Sequence, residues 1–148
     1  MALMNAELTN PDYGFTVTDE KNHSTFIDIP VEQGGNGAGM RPMQTVLAAL
    51  TGCSGVDVVS ILKKQRQTYT SLKIFVDGER EQGKEPSLWK DVRVRFELTG
   101  NTLDAGKVYR AAELSITKYC SVAETLRRAG ANITFTVLVN GNPVKFQE

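Results

Sequence analysis

Residues 42–66 read PMQTVLAALTGCSGVDVVSILKKQR, and this stretch decides how the rest of the chain is interpreted. Pro42 suits the first turn of a helix, and the basic residues from Lys63 onward suit its last turn. Residues 47–59 are nearly free of charge on every side of such a helix, which is typical of a buried helix. A membrane span would need about 20 consecutive apolar residues, and polar side chains interrupt this stretch at Thr51, Ser54, Asp57 and Ser60. We therefore predict a long core helix over residues 42–66.

Strand patterns lie on both sides of this helix in the sequence. The segment from Val92 to Leu98 alternates apolar and polar residues with a period of two, as a strand with one buried face does. Similar patterns predict the remaining strands and two more helices. The predicted order is a β-hairpin within 13–29, the long helix, strands at 72–77 and 92–98, helices at 104–118 and 121–128, and a strand at 133–139. This order predicts an α+β fold.

The composition limits the number of domains and the classes of partner. A chain of 148 residues, 41% hydrophobic and 23% charged, is expected to form one globular domain over residues 1–148. Lys plus Arg and Asp plus Glu each total 17, so nucleic acid and acidic membrane surfaces are not expected partners. The first residues lack the basic and apolar regions of a secretory signal, and we expect a cytoplasmic protein.

Two short motifs suggest chemistry that their context does not support. Residues 34–39 carry four glycines, and backbone amides in such a loop can hold a phosphate. The spacing is not GxGxxG, however, no GK[ST] follows, and no βαβ pattern surrounds the loop. Ser54 lies in Gly-Cys-Ser-Gly, but in the middle of a predicted helix instead of the strand-to-helix turn of a nucleophile elbow. We expect a connector or a flexible loop near a site, and no serine nucleophile.

The chain has two cysteines, Cys53 and Cys120, which lie 67 positions apart. They could form a structural disulfide, be unrelated buried thiols, or act as a redox pair, and a reducing cytosol disfavours the first of these. A free cysteine most often fills space as a small buried residue. The lone histidine, His23, leaves a structural zinc site short of its usual ligands. We expect no metal and no cofactor.

The position of Cys53 limits how its thiol could be activated. A helix N-terminus lowers the pKa of a thiol, but Cys53 lies eleven residues beyond Pro42, or roughly 16 Å along the helix. A cation from another element or another subunit would be needed. Small residues surround the thiol and form a face that a second helix could approach closely, from a two-fold dimer or across a substrate channel: Ala48, Ala49, Gly52 and Gly55.

Three segments carry a family resemblance. They are GMRPM at 39–43, LAALTGC at 47–53 and LSITKYCSV at 114–122. The chain resembles the OsmC/Ohr family of osmotically inducible and organic hydroperoxide resistance proteins, in which a proline opens the central helix, one cysteine lies within it and a second follows Lys-Tyr. The resemblance implies an OsmC-like fold with a β-sheet, a long buried central helix and an intertwined homodimer with sites at its interface.

The same resemblance implies a thiol-dependent peroxidase. Cys53 would attack an organic hydroperoxide or hydrogen peroxide and become a sulfenic acid, and Cys120 would resolve it as a disulfide. A dithiol such as dihydrolipoamide would then return the electrons. No cofactor or metal is implied.

The chain departs from the family pattern around the activating groups. Family peroxidases place a glutamate directly after the helix-opening proline and an arginine in the N-terminal β region. Here Met43 follows the proline, and no arginine precedes Arg41. Arg41 and Gln44 are the residues that could replace the arginine and its partner, and Ser121 stands where many relatives have proline. The alternative is therefore a paralogue without peroxidase activity that binds a small apolar molecule in the interface cavity around Cys53.

Overall fold

The computed structural model describes residues 3–145, and the chain divides after Val46 into two compact units. The first unit ends within the long helix α1 (Pro42–Lys64), and the second contains the rest of that helix. The observed bounds confirm the predicted helix to within two residues of its C-terminal end.

The first unit contains a three-stranded antiparallel sheet. Its strands are β1 (Met4–Leu8), β2 (Phe15–Asp19) and β3 (Ser24–Ile27), in the order β1-β2-β3. The predicted hairpin is confirmed as β2 and β3. Strand β1 was not predicted because all of its residues are exposed, so no apolar alternation marks it.

The glycine-rich loop of the first unit closes around a carboxylate of the protein itself. Asp28 is fully buried and accepts hydrogen bonds from the backbone amides of Ile29, Asn36 and Ala38 at 2.7, 3.3 and 3.2 Å. Gly35 is required there, since a Cβ at this position would lie 2.2 Å from the Ile29 carbonyl oxygen. Amides that a phosphate could use are bonded to Asp28, which agrees with a connector role for this loop.

The second unit contains a four-stranded sheet with helices between its two central strands. The strands are β4 (Ser71–Arg80), β5 (Trp89–Thr99), β6 (Asn132–Val139) and β7 (Asn142–Val144), in the order β4-β5-β6-β7. Strands β5 and β6 are parallel, and the other two pairings are antiparallel. The parallel pair needs a long crossover, which consists of α2 (Ala105–Leu114), a π-helical segment (Ser115–Tyr119) and α3 (Ser121–Arg128). The predicted helix 104–118 thus continues as a π-helix from Ser115.

Strand β5 supplies much of the core of the second unit. The alternation seen in the sequence is confirmed, because Val92, Val94, Phe96 and Leu98 are at most 1% exposed. The other side of β5 is charged and carries Arg93 and Arg95. Strand β7 was not predicted, since three residues are too short for a periodic pattern.

Burial of α1 on every side is not seen within the single chain. Only one row of side chains, spaced four residues apart, is buried: Leu50, Ser54, Val58 and Leu62. Val56 on another side is 67% exposed. Among residues 3–145, α1 is also the one helix long and apolar enough to cross a bilayer, a property that core helices share. The sequence pattern reports the apolar surface of the helix and not what covers it, so the burial predicted for its other sides stays a prediction.

Candidate functional site

The second unit brings Cys53 and Cys120 together. The sulfur atoms of both residues and a carboxylate oxygen of Asp57 all lie within 4.8 Å of one another. Neither cysteine is in a disulfide. The two candidate residues of the sequence analysis are thus neighbours, and the fold adds a carboxylate to them.

Helix α1 places Cys53 and Asp57 on the same side. The two residues are four positions apart, which puts their side chains one above the other on a helix. The adjacent Ser54 belongs to the buried row, and its hydroxyl donates to the Leu50 carbonyl at 2.7 Å. Cys53 and Asp57 therefore lie at the edge of the buried row, and both are half-buried.

Cys120 occupies the junction between the π-helical segment and α3. Its backbone amide donates to the Ser115 carbonyl at 2.9 Å, five residues earlier, as a π-helix requires. Its sulfur accepts a hydrogen bond from the Ala123 amide at 3.4 Å and so caps the N-terminus of α3. The residue is 3% exposed. Cys120 is therefore held on both sides of the junction, through its backbone amide towards the π-helical segment and through its sulfur towards α3.

Ser115 joins the two elements that carry the cysteines. Its hydroxyl lies 3.1 Å from Asp57 Oδ2 and 3.3 Å from the Ser54 carbonyl oxygen, both on α1. A hydroxyl has one hydrogen to donate, so it serves one of these acceptors at a time. Arg127 of α3 donates to the Ile116 carbonyl and secures the π-helical segment from its other side.

Burial raises the pKa of the Cys120 thiol to about 11. The Ala123 amide opposes this effect by donating to the sulfur, and the neighbouring Cys53 thiol adds to it. A thiol with such a pKa is protonated at neutral pH. Cys120 therefore enters any reaction near pH 7 as a thiol and not as a thiolate.

Alkylation of Cys120 should continue to accelerate with pH up to about 11, because only the thiolate reacts. Peptide mass spectrometry after timed treatment with iodoacetamide would measure the rate at Cys120 itself. The unfolded chain in urea is the control, and its rate should level off near the ordinary cysteine pKa of about 8.5. A folded-state plateau at the same pH as the unfolded chain would contradict the assigned effect of burial.

Arg41 and Gln44 lie in the first unit, at the start of α1. Gln44 Oε1 accepts a hydrogen bond from the Arg41 backbone amide at 3.0 Å, which is the arrangement of a helix-capping glutamine. The Arg41 side chain is exposed and forms no ion pair with any of the residues 3–145. The Gln44 side chain thus contacts the backbone of Arg41 and not its guanidinium group.

Sequence reasoning missed Asp57 and Ser115 as parts of the site. Asp57 carried a usable signal, because it is the one charged residue between Arg41 and Lys63 and follows Cys53 by four positions. Ser115 carried none, since its partners lie 58 and 61 positions away in the sequence.

An open groove runs along α1, and neither cysteine is among its lining residues. It has a volume of about 650 Å³ and lies between the helix and strand β4, with Gly52, Val56 and Ile74 among its lining residues. Gly55 already contacts the sheet, since a Cβ there would lie 3.0 Å from Ile74, whereas a Cβ at Gly52 would meet nothing within 4 Å. On the face formed by small residues, Gly55 is therefore covered by the sheet, whereas Gly52 is open.

Comparison with known proteins identifies the family. The model of the family described as "OsmC-like protein" matches residues 34–136. The chain belongs to this family. Protein YhfA of Escherichia coli K12 is 44% identical over 93 residues, which are 63% of this chain and 68% of YhfA.

Solved structures agree with the OsmC-like assignment. A hypothetical protein from Aquifex aeolicus VF5 is 27% identical, with a TM-score of 0.80 over 95% of this chain and 96% of that one. An organic hydroperoxide resistance protein OsmC from Legionella pneumophila is 15% identical, with a TM-score of 0.71 over 94% of this chain and 97% of that one. These likenesses confirm the predicted α+β, OsmC-like fold.

Proposed function

We propose that this OsmC-like protein is a thiol-dependent peroxidase that reduces organic hydroperoxides or hydrogen peroxide. The observation that carries the proposal is the placement of two free thiols within 4.8 Å of one another. Structural relatives named for organic hydroperoxide resistance support the choice of substrate. The name YhfA specifies no activity.

The different exposure of the two cysteines supports their separate roles. Cys53 is half-buried and Cys120 is 3% exposed, so a peroxide from solvent meets Cys53 first. The Cys53 thiolate attacks one peroxide oxygen, the O–O bond breaks, and with one proton the products are a sulfenic acid and an alcohol, or water from hydrogen peroxide. The Cys120 thiol then attacks the sulfenic sulfur, and a disulfide and water form.

The proximity of the two sulfurs supports the disulfide step. The sulfurs lie within 4.8 Å, and a disulfide bond is about 2.05 Å long. In this step the thiol proton of Cys120 combines with the hydroxide that leaves the sulfenic acid, and water forms. We assign the transfer of this proton to Asp57, because one of its carboxylate oxygens lies within 4.8 Å of both sulfurs. A dithiol such as dihydrolipoamide then reduces the disulfide and completes the cycle.

Arg41 is our candidate for the cation that activates Cys53, and Gln44 is the candidate for its neutral partner. The bond from the Arg41 amide to Gln44 Oε1 supports a joint role, since it fixes the backbone from which the guanidinium projects. Arg41 also has no competing ion pair among residues 3–145.

An intertwined homodimer is part of the proposal. Ala49, Gly52 and Val56 form an exposed row on α1 that carries no charge, and burying such a row stabilises an assembly. The same helix of a second copy fits a surface of small residues, and the site would then lie at the interface. We place the protein in the cytoplasm, where a reducing environment keeps both thiols free.

A second candidate function is the binding of a small apolar molecule without peroxidase chemistry. The open groove between α1 and β4, at about 650 Å³, has the size of ligand pockets in proteins, roughly 300–1,000 Å³, and it includes Gly52, the residue before Cys53. The neighbour of the thiols is also a carboxylate, which does not stabilise a thiolate as a cation would.

Oxidation with one equivalent of hydroperoxide tests the peroxidase proposal. The reduced chain should lose about two hydrogens in its denatured intact mass, the signature of one Cys53–Cys120 disulfide, and a dithiol should restore them. Cys120→Ser should instead accumulate a sulfenic acid that dimedone traps. Formation of a sulfinic acid at Cys53 while Cys120 stays free, or no reaction of either thiol, would favour the ligand-binding candidate.

A further inference from the structure

Cys53, Asp57 and Cys120 bring three potential metal-ligand atoms close together, and no ion pair involves Asp57 among residues 3–145. Two sulfurs and a carboxylate oxygen converge from two separate elements, α1 and the junction before α3. We propose that in the reduced protein these three residues bind a thiophilic divalent cation, with Zn²⁺ as the best match. This inference does not rest on peroxidase activity.

The distances suit a tetrahedral ion after small side-chain movements. Bonds of about 2.3 Å to sulfur and 2.0 Å to oxygen keep neighbouring ligand atoms roughly 3.5–3.8 Å apart. The three atoms now lie within 4.8 Å of one another, so each needs to move by no more than about 1 Å. Rotation of the side chains supplies such a movement without any change of the helices.

The surroundings of Asp57 resemble those of a metal-ligating carboxylate. Carboxylate ligands are usually held by an outer hydrogen bond that fixes their orientation. Ser115 supplies this bond, with its hydroxyl 3.1 Å from Asp57 Oδ2, and Ser115 is itself fully buried. The carboxylate is therefore oriented before any ion arrives.

The donor set selects the class of ion. Two thiolates and a carboxylate together carry three negative charges, and a divalent cation is their natural complement. Sulfur ligands favour Zn²⁺ over Mg²⁺ or Ca²⁺, which prefer oxygen. Three protein ligands leave one position of a tetrahedral ion open, as in exchangeable zinc sites and unlike closed structural ones. The sequence expectation of no metal counted cysteine and histidine alone, and the fold adds Asp57.

The proposed site makes metal binding and disulfide formation mutually exclusive. A sulfur that ligates an ion as a thiolate cannot at the same time be bonded to the other sulfur. The oxidised chain should therefore have no site, and the loaded chain should be protected from oxidation.

Titration of the reduced full-length protein with Co²⁺ without oxygen tests the proposal. We expect one ion per chain in native mass spectrometry, a thiolate-to-cobalt charge-transfer band in the near ultraviolet, and displacement by Zn²⁺. Asp57→Asn should weaken binding at least about tenfold, because an amide is a poorer ligand than a carboxylate. Asp12→Asn makes the same change at an exposed position and should leave binding unchanged.

Two further measurements keep the result interpretable. The disulfide form should show no charge-transfer band, which tests the thiols without a substitution that could unfold the chain. Circular dichroism should show that Asp57→Asn folds as the parent does. Equal affinity of the reduced and oxidised chains, absence of the band, or an Asp57→Asn affinity equal to that of Asp12→Asn would each overturn the proposal. None of these outcomes depends on whether the protein reduces peroxides.

Discussion

Replacing Cys53 with serine should lower the rate of hydroperoxide reduction by a factor of about 10³ or more. The thiolate is the nucleophile, and a serine hydroxyl stays protonated and reacts poorly with a peroxide oxygen. Losses of about this size or larger follow when a nucleophile is removed from an enzyme. Peroxide consumption with dihydrolipoamide as electron donor would measure the effect.

The matching substitution at the other cysteine provides the control. Cys120→Ser should consume about one equivalent of peroxide per chain at the parental rate and then stop, because the sulfenic acid forms but is not resolved. The two serine variants therefore differ in the step that fails. A Cys53→Ser protein that keeps its turnover within tenfold of the parent would contradict the peroxidase proposal.

Replacing Val56 with lysine should weaken the proposed homodimer at least about 100-fold, or about 2.7 kcal/mol. Val56 is 67% exposed in the single chain, so the substitution leaves the fold of that chain intact. In the dimer the same position would be buried, and a buried ammonium without a partner is costly. Gel filtration with light scattering should give about twice the 16.2 kDa chain mass for the parent and a monomer for the variant.

Val31→Lys is the matched control for the dimer experiment. Val31 is also 67% exposed, and it lies in a short turn outside α1. Its replacement adds the same charge without altering the exposed row of that helix, and the dimer should persist. A parent protein that is monomeric at micromolar concentration, or a Val56→Lys protein that remains dimeric at the parental dissociation constant, would contradict the proposed interface.

Helices and strands could be predicted from the sequence where one side of the element packs against the rest of the same chain. The apolar positions of β5 repeat every second residue because they face one core, and this period is visible without coordinates. Strand β1 has no covered side and β7 is three residues long, so neither leaves a pattern. The position of helix α1 could be predicted, but an apolar sequence does not indicate whether the residues that cover the helix come from the same chain.

The sequence predicted the two cysteines of the candidate site but not the residues that surround them. The motifs before Cys53 and around Cys120 drew attention to both thiols, because short segments can be compared directly between proteins. The hydrogen bond from Ser115 to Asp57 joins positions 58 residues apart, and only the packing of the π-helical segment against α1 creates it. Interactions of this kind depend on the whole fold, and no local pattern records them.

Because of the π-helical segment Ser115–Tyr119, the proximity of the two sulfurs depends on the number of residues in this segment as well as on their identity. Its last hydrogen bond joins the Cys120 amide to the Ser115 carbonyl, one residue further back than in an α-helix. Each residue of an α-helix turns the chain by about 100°. A relative that lacked one residue in this segment could keep both cysteines, yet present its second sulfur to a different side of the helix. When such relatives are aligned, a gap within this segment therefore carries as much information about function as the loss of a cysteine.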